Sequence, residues 1–218
     1  MNKKKNFTVL VISIVLLFVL CSSVQYRDRD NEFKNEYFRV IEQIKKNNYV
    51  KKTLAILNKY NININNEQKI TLSNLLYDLE KKYPHLSSNL FIATALVETG
   101  FDNNSIGSSG EITAVQFMQG TWQEVTQDEH NYKKGSEKDI LYVAKMWYKY
   151  VNKWNTYFNG DLKKTILAYN AGRHNILKNC NSSSEIEQFK TVMYRVKNIK
   201  PYDEKVLSYY YQFNNIRV

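Results

Sequence analysis

The chain has 218 residues, 43% hydrophobic and 14% aromatic, with only 7 Gly and 2 Pro. That balance is too apolar for a disordered tail and too poor in Gly and Pro for a fibre or low-complexity linker, and it fits one globular domain plus an appendage. A formal charge of +10, from 31 Lys and Arg against 21 Asp and Glu, favours an anionic polymer or surface as partner, although A/T-rich codon usage is an equally good source of the lysine excess.

Lys3, Lys4 and Lys5 precede an uncharged run from Phe7 to Leu20, the positive and apolar regions of an export signal. Residues 1–26 are therefore expected to be an export signal or a membrane or lipid anchor. Three fates stay open. A lipid on Cys21 is one, though Leu20 is larger than the residue such signals usually carry. An uncleaved anchor is another, short of a full bilayer span unless residues 21–24 extend it. Ordinary cleavage is the third. Cys21 and Cys180 are the only cysteines, so neither a disulfide framework nor a thiolate cluster is available, and no bridge between them is expected. His85, His130 and His174 lack metal-ligand spacing and no phosphate loop appears, so neither metal nor cofactor is expected.

From Arg27 onward the apolar residues recur every three or four positions, as in Phe33, Tyr37, Val40, Ile41 and Ile44, then Leu54, Leu57 and Tyr60. This spacing predicts helix. An Asn-rich loop over 61–66 and a resumed pattern from Ile70 to Leu79 lead to Pro84, which punctuates the chain. Residues 27–84 read as a helical extension and 85–218 as the main domain. Helical patterns follow at 86–99, 137–154, 162–170, 185–196 and 203–213, without sustained two-residue alternation, so the fold class is all-α. The Lys-Lys pairs are scattered rather than gathered on one element, which argues against nucleic acid as partner.

The segment from Leu90 to Val97 is apolar almost all round and predicts a helix inside the domain. It ends in Glu98, with Gly100 as a natural stop. A carboxyl in the last turn meets the carbonyl end of the helix and apolar flanks, and both push its pKa up. A carboxylic acid still protonated near neutral pH is what a glycosidic oxygen needs as proton donor. A solvent-facing glutamate on a frayed end fits this segment equally well. Downstream, a polar loop over 101–110 leads to Gln116-Phe-Met118, Thr121 and Trp122, and Ala168-Tyr-Asn-Ala-Gly172 follows later. Alone, Tyr169 and Asn170 read as a core tyrosine beside a helix-end asparagine.

Taken together, Ala95-Leu-Val-Glu98-Thr-Gly-Phe101, Gly110, Gln116-Phe-Met118 with Thr121, and Ala168-Tyr-Asn-Ala-Gly172 resemble the signature of the lytic transglycosylases with the SLT, lysozyme-like fold. The resemblance covers roughly residues 86–202. It implies a lysozyme-like helical domain behind an N-terminal helical extension, with Glu98 as the single catalytic acid/base. It further implies that Gln116, Met118, Tyr169 and Asn170 line a saccharide cleft, with Tyr194 close to the carboxyl. The implied substrate is the MurNAc–GlcNAc backbone of peptidoglycan, cut at the β-1,4 bond to leave 1,6-anhydro-MurNAc ends. The implied setting is the cell envelope, in the periplasm or on the outer face of a membrane, where residues 27–84 pack on the catalytic domain or reach an envelope assembly partner.

The departures from the family pattern are Thr99 for Ser, Glu111 and Thr113 for Ala and Gly, Val115 for Met, and Gln119 for Pro. Glu111 as a second carboxylate positioning water, as in goose-type lysozymes, would give a hydrolytic muramidase. A blocked groove would instead give a non-catalytic wall-binding scaffold. Trp122 is a weaker candidate for a sugar-stacking platform, and Arg173 and His174 are expected on the surface near a helix boundary.

Overall fold

Without Gly or Pro before residue 84, nothing in the first fifty-odd residues interrupts a helix. In the computed structural model α1 accordingly runs unbroken over Lys3–Lys59. The structure describes residues 3–127, 136–180, 182–194 and 199–216, without the side chains of residues 3–30, 136, 173, 174 and 179. The expectations placed on the run from Phe7 to Leu20 and on Cys21 lie outside the described side chains. Among the described residues no helix is long and apolar enough to cross a membrane.

The chain divides into two units, residues 1–48 and 49–218. In the first, the stripe formed by Phe33, Tyr37, Val40 and Ile44 is exposed, Phe33 by 73%. Periodicity alone would have buried it. In the second unit, Ile56 and Leu57 of α1 share one hydrophobic core with Leu72, Leu76 and Leu79 of α2 (Asn66–Lys82) and with Leu90 to Ala93 of α3 (Ser88–Thr99). The division expected at 84/85 therefore falls inside this core. Pro84 turns the chain between two helices whose apolar faces meet, and does not separate domains.

Five of the helices start where a polar side chain accepts from a backbone N–H that the helix itself leaves unpaired. Asn65 and Gln68 form a reciprocal capping box on α2, with bonds of 2.8 and 3.2 Å. Ser87 caps α3, whose first N–H, on Ser88, also donates to the Glu80 carboxylate. Asp139 caps α5 (Ile140–Tyr157), Asp161 caps α6 (Leu162–Ala171), and Ser182 forms a second capping box with Glu185 on α8 (Ser183–Met193). Two short helices went unread in the sequence, α4 (Gln119–Thr126) and α7 (Arg173–Asn179). The pattern at 185–196 ends at Met193, its final residues lying outside the described chain, and that at 203–213 appears as α9 (Tyr202–Asn214).

Helix α3 lies at the centre, against α2, α5 and α9. Phe91 and Trp147 are almost fully buried and meet edge to face with centroids 5.5 Å apart; burying a side chain of that size contributes about 2–3 kcal/mol. A smaller cluster of Leu167, Ala168, Ile176, Ile186 and Phe189 ties α6 to α7 and α8. Among the described residues there is no strand, only isolated bridges from Ile112 to Ile106 and Phe117.

Candidate active site

The apolar wrap of α3 drives the helix into the core, and its last turn then emerges with Glu98 half-buried. Gly100 ends the helix in the left-handed region at φ 67°, where a glycine carries no Cβ penalty. The Gly100 and Phe101 N–H groups donate to the Leu96 and Ala95 carbonyls at 3.1 and 3.0 Å. Thr99 donates from Oγ1 to the Ala114 carbonyl at 2.9 Å, so the hydroxyl that replaces serine pins the 103–117 loop to the end of α3. Asn103 accepts from the Ala114 N–H at 3.1 Å, and the Tyr169 hydroxyl donates to the Val115 carbonyl. The loop is thus tied to both α3 and α6.

These ties bring Glu98, Glu111, Gln116, Met118, Tyr169 and Asn170 around one cleft of about 200 Å³, floored by Gly107 and Ser108. All the residues singled out for the cleft line it, except Tyr194. That tyrosine donates to Asn170 Oδ1 at 2.7 Å and so supports a cleft residue. Larger hollows open between α7 and α8 and beside Tyr60 and Lys205, and neither gathers the motif residues. Gly107 lets two cleft side chains come close: a Cβ there would push the Glu111 carboxylate and the Gln116 amide oxygen aside. Glu111 is held by the Ser109 N–H at 2.9 Å. Gln116 donates from Nε2 to the Thr113 carbonyl at 3.1 Å.

The hydroxyl that reaches the carboxyl belongs to Tyr202, which donates to Glu98 Oε1 at 2.6 Å. Tyr194, which the resemblance puts close to the carboxyl, feels the Glu98 charge but gives its hydroxyl to Asn170. Tyr202 opens α9 and is buried at 6% exposure. In the sequence its only signal is a tyrosine directly after Pro201 at the start of the last helical pattern, and nothing in that pattern ties it to a residue 104 positions away.

Burial raises the Glu98 pKa to about 7, against the opposing Tyr202 hydrogen bond; the Glu111 charge adds to the rise and Lys205 lowers it. Desolvation disfavours the carboxylate more than one donor restores it. The result is a group half-protonated at neutral pH, placed to give up a proton and take it back. Among the described residues no group of His, Cys, Asp and Glu could hold a metal ion.

One further departure from the family pattern acquires a structural meaning. Thr113, where the pattern has Gly, keeps a glycine-like φ of 75° with its buried Oγ1 lacking a hydrogen-bond partner. A β-branched residue in that region is strained. Thr113→Gly is expected to stabilise the protein by about 1 kcal/mol, relief of strain and of the orphaned hydroxyl outweighing glycine's extra entropy. A thermal melt would show this as a rise of about 2–4 °C, and an unchanged or lower midpoint would refute it. Trp122 is buried against Phe117 and Tyr142. It is core, like Trp147 and Trp154, and not a sugar platform.

Residues 76–192, a little over half of the chain, match the family model described as the transglycosylase SLT domain. The chain belongs to this family. The match contains Glu98, Gln116, Met118, Tyr169 and Asn170, and ends before Tyr194 and Tyr202. Among solved structures, the chain is similar to the X-ray structure of an inactive mutant of the lytic transglycosylase Slt from Pseudomonas aeruginosa. The TM-score is 0.54 at 19% identity, over 64% of this chain. That likeness establishes the helical lysozyme-like fold, and it spans only 23% of the other protein. No curated protein matches the chain. The SLT domain thus supplies the frame, the Glu98 helix and the tyrosine-asparagine pair of α6, while the donor to Glu98 comes from beyond the matched segment.

Proposed function

We propose that the chain is a peptidoglycan lytic transglycosylase that cuts the MurNAc–GlcNAc β-1,4 bond and leaves 1,6-anhydro-MurNAc ends. The single observation that carries this reading is a carboxyl poised near pH 7 in a cleft lined by Gln116, Tyr169 and Asn170. Protonated Glu98 gives its proton to the bridging oxygen as the C1–O bond breaks, and the N-acetyl oxygen of MurNAc stabilises the positive charge developing at C1. The resulting Glu98 carboxylate then takes the proton of the C6 hydroxyl as O6 bonds to C1. The carboxyl ends as it began and no water is consumed. This is how one carboxylate suffices where most glycosidases use two. The Tyr202 hydrogen bond steadies the carboxylate between the two steps.

In the same reading residues 1–26 export the chain and hold it at a membrane, by an uncleaved helix or a lipid on Cys21, unless cleaved. The remaining positive charge suits an anionic wall, with its reach limited to about 8 Å by physiological salt. Residues 27–48 then act as a spacer open to an envelope assembly partner.

A second reading rests on Glu111, which shares the cleft with Glu98 and raises its pKa. If Glu111 served as base for a water, the products would be hydrolytic. Mass spectrometry of muropeptides released from purified wall separates the two, because hydrolysis leaves a product heavier by one water. Anhydro ends are expected from both the unaltered protein and Glu111→Gln. Water-heavier ends that disappear in Glu111→Gln would transfer the chemistry to the second reading, and intact wall throughout would leave only a binding scaffold. Because the Glu111 charge lifts the Glu98 pKa, Glu111→Gln is also expected to move the alkaline limb of activity to lower pH.

A further inference from the structure

The hydrogen bond from Tyr202 to Glu98 depends on where α9 begins, and that start lacks the usual anchor. Pro201 stands at the N-cap and makes no side-chain cap. The first turn of α9 is held instead from the neighbouring helix. Lys190 of α8, buried at 3% exposure, places its Nζ 3.1 Å from Asp203 Oδ2 and 2.9 Å from Glu204 Oε1, with Glu187 of its own helix at 3.2 Å. Asp203 is 1% exposed and its Oδ1 has no hydrogen-bond partner. The Lys190 ammonium is therefore the counter-charge that lets this carboxylate remain in the core. Asp203 immediately follows Tyr202.

We propose that Lys190 is a positioning residue for the active-site carboxyl: by clamping Asp203 and Glu204 it fixes the first turn of α9 and so holds the Tyr202 hydroxyl against Glu98. Burial lowers the Lys190 pKa, but its bonds to Glu204, Asp203 and Glu187 more than offset that, and the pKa is raised above the ordinary lysine value. The clamp stays charged across the range in which Glu98 titrates. The groups that bear on Glu98 are Tyr202 and Lys205 of α9, Glu111 of the loop, Tyr169 of α6, and Tyr194 after α8. Of these, the clamp fixes Tyr202 and Lys205 through the start of α9, and its two charges also bear on Tyr194.

Two ways of acting are separable by sign. If Lys190 and Asp203 influenced Glu98 only through their charges, removing the cation would raise the Glu98 titration midpoint and removing the anion would lower it. If they act by holding Tyr202 in place, either loss weakens the same hydrogen bond, and both raise it.

The test is a carbon-13 carboxyl NMR titration of Glu98 in the full chain, which reads the midpoint whether or not the protein cleaves glycan. Lys190→Met and Asp203→Asn are each expected to raise it by about one pH unit, the scale of one lost charge-assisted hydrogen bond. Lys190→Arg, which keeps the cation, is expected to leave the midpoint close to that of the unaltered protein. In a Tyr202→Phe background neither substitution should move the midpoint further. A folded Lys190→Met with the unaltered midpoint, or opposite shifts in Lys190→Met and Asp203→Asn, would overturn the proposal. Should Lys190→Met not fold, Asp203→Asn keeps the shape and decides by the direction of its shift.

The importance of the clamp for catalysis rests on the reading of Glu98 as acid/base. Activity profiles taken in parallel would follow the NMR midpoints if that reading holds. Shifted midpoints with wall-clearing activity indifferent to Glu98 would sink that reading and leave the positioning role standing.

Discussion

Glu98→Gln is expected to abolish wall cleavage and, at pH 8, to make the protein more stable. Amide for carboxyl keeps the shape and the acceptor for Tyr202 but removes the transferable proton, a loss of about 10³-fold or more for a general acid. The stability gain follows from linkage. The Glu98 pKa is about 7 in the fold against an ordinary value of 4.5, and burial is the main cause. Folding therefore favours the protonated form. The carboxyl's favourable contribution is complete below about pH 4.5 and is lost as pH rises through about 7. Above that pH the unaltered protein must hold a charge in a dry site at a cost of about 3 kcal/mol, a cost the glutamine variant escapes. Melting curves of the two proteins should coincide near pH 4 and separate by roughly 5–10 °C at pH 8. Equal midpoints at pH 8 would mean that Glu98 is hydrated, and the cleft would lose its acid.

Tyr202→Phe is expected to lower kcat/KM by about 10- to 100-fold while moving the alkaline limb of the profile upward. Loss of the 2.6 Å bond leaves the carboxyl free to turn away from the productive direction, an error of a kind that costs up to about 10²-fold. The same bond lowers the Glu98 pKa, so its removal keeps the acid protonated to higher pH. Kinetics on soluble glycan strands between pH 5 and 9 would show both effects. A slower enzyme with an unmoved limb would mean that Tyr202 serves only packing.

The local pattern at Glu98, an apolar helix with a carboxyl in its last turn and a glycine stop, fits a buried acid and a solvent-facing glutamate equally, and only the motifs that follow it in order favoured the acid. The longer helices were legible because three- and four-residue spacing is a property of neighbours in sequence, while α4 and α7, of eight and seven residues, are too short to display it. The stripe at Phe33, Tyr37, Val40 and Ile44 marks the limit of such reasoning, for it has the period of a buried face and lies exposed. Periodicity shows that a face is apolar, not that anything covers it. The expected boundary at 84/85 failed to mark a unit for a related reason. A proline breaks a helix, but only the meeting of Leu72, Leu76 and Leu79 with α3 decides whether the chain on either side shares a core.

The amino-acid order by itself determined the all-helical class and the carboxyl at the end of an apolar helix, because each is written in short runs whose physics is local, while Tyr169 and Asn170 stood out only through the order of motifs that carries the family resemblance. Only the tertiary structure decided which hydroxyl meets that acid, that Thr113 occupies a backbone position suited to glycine, and that Lys190 holds the start of α9. Those are contacts between helices and loops far apart in sequence. They are set by which buried faces pack and which charges must then find partners, and no local pattern encodes either.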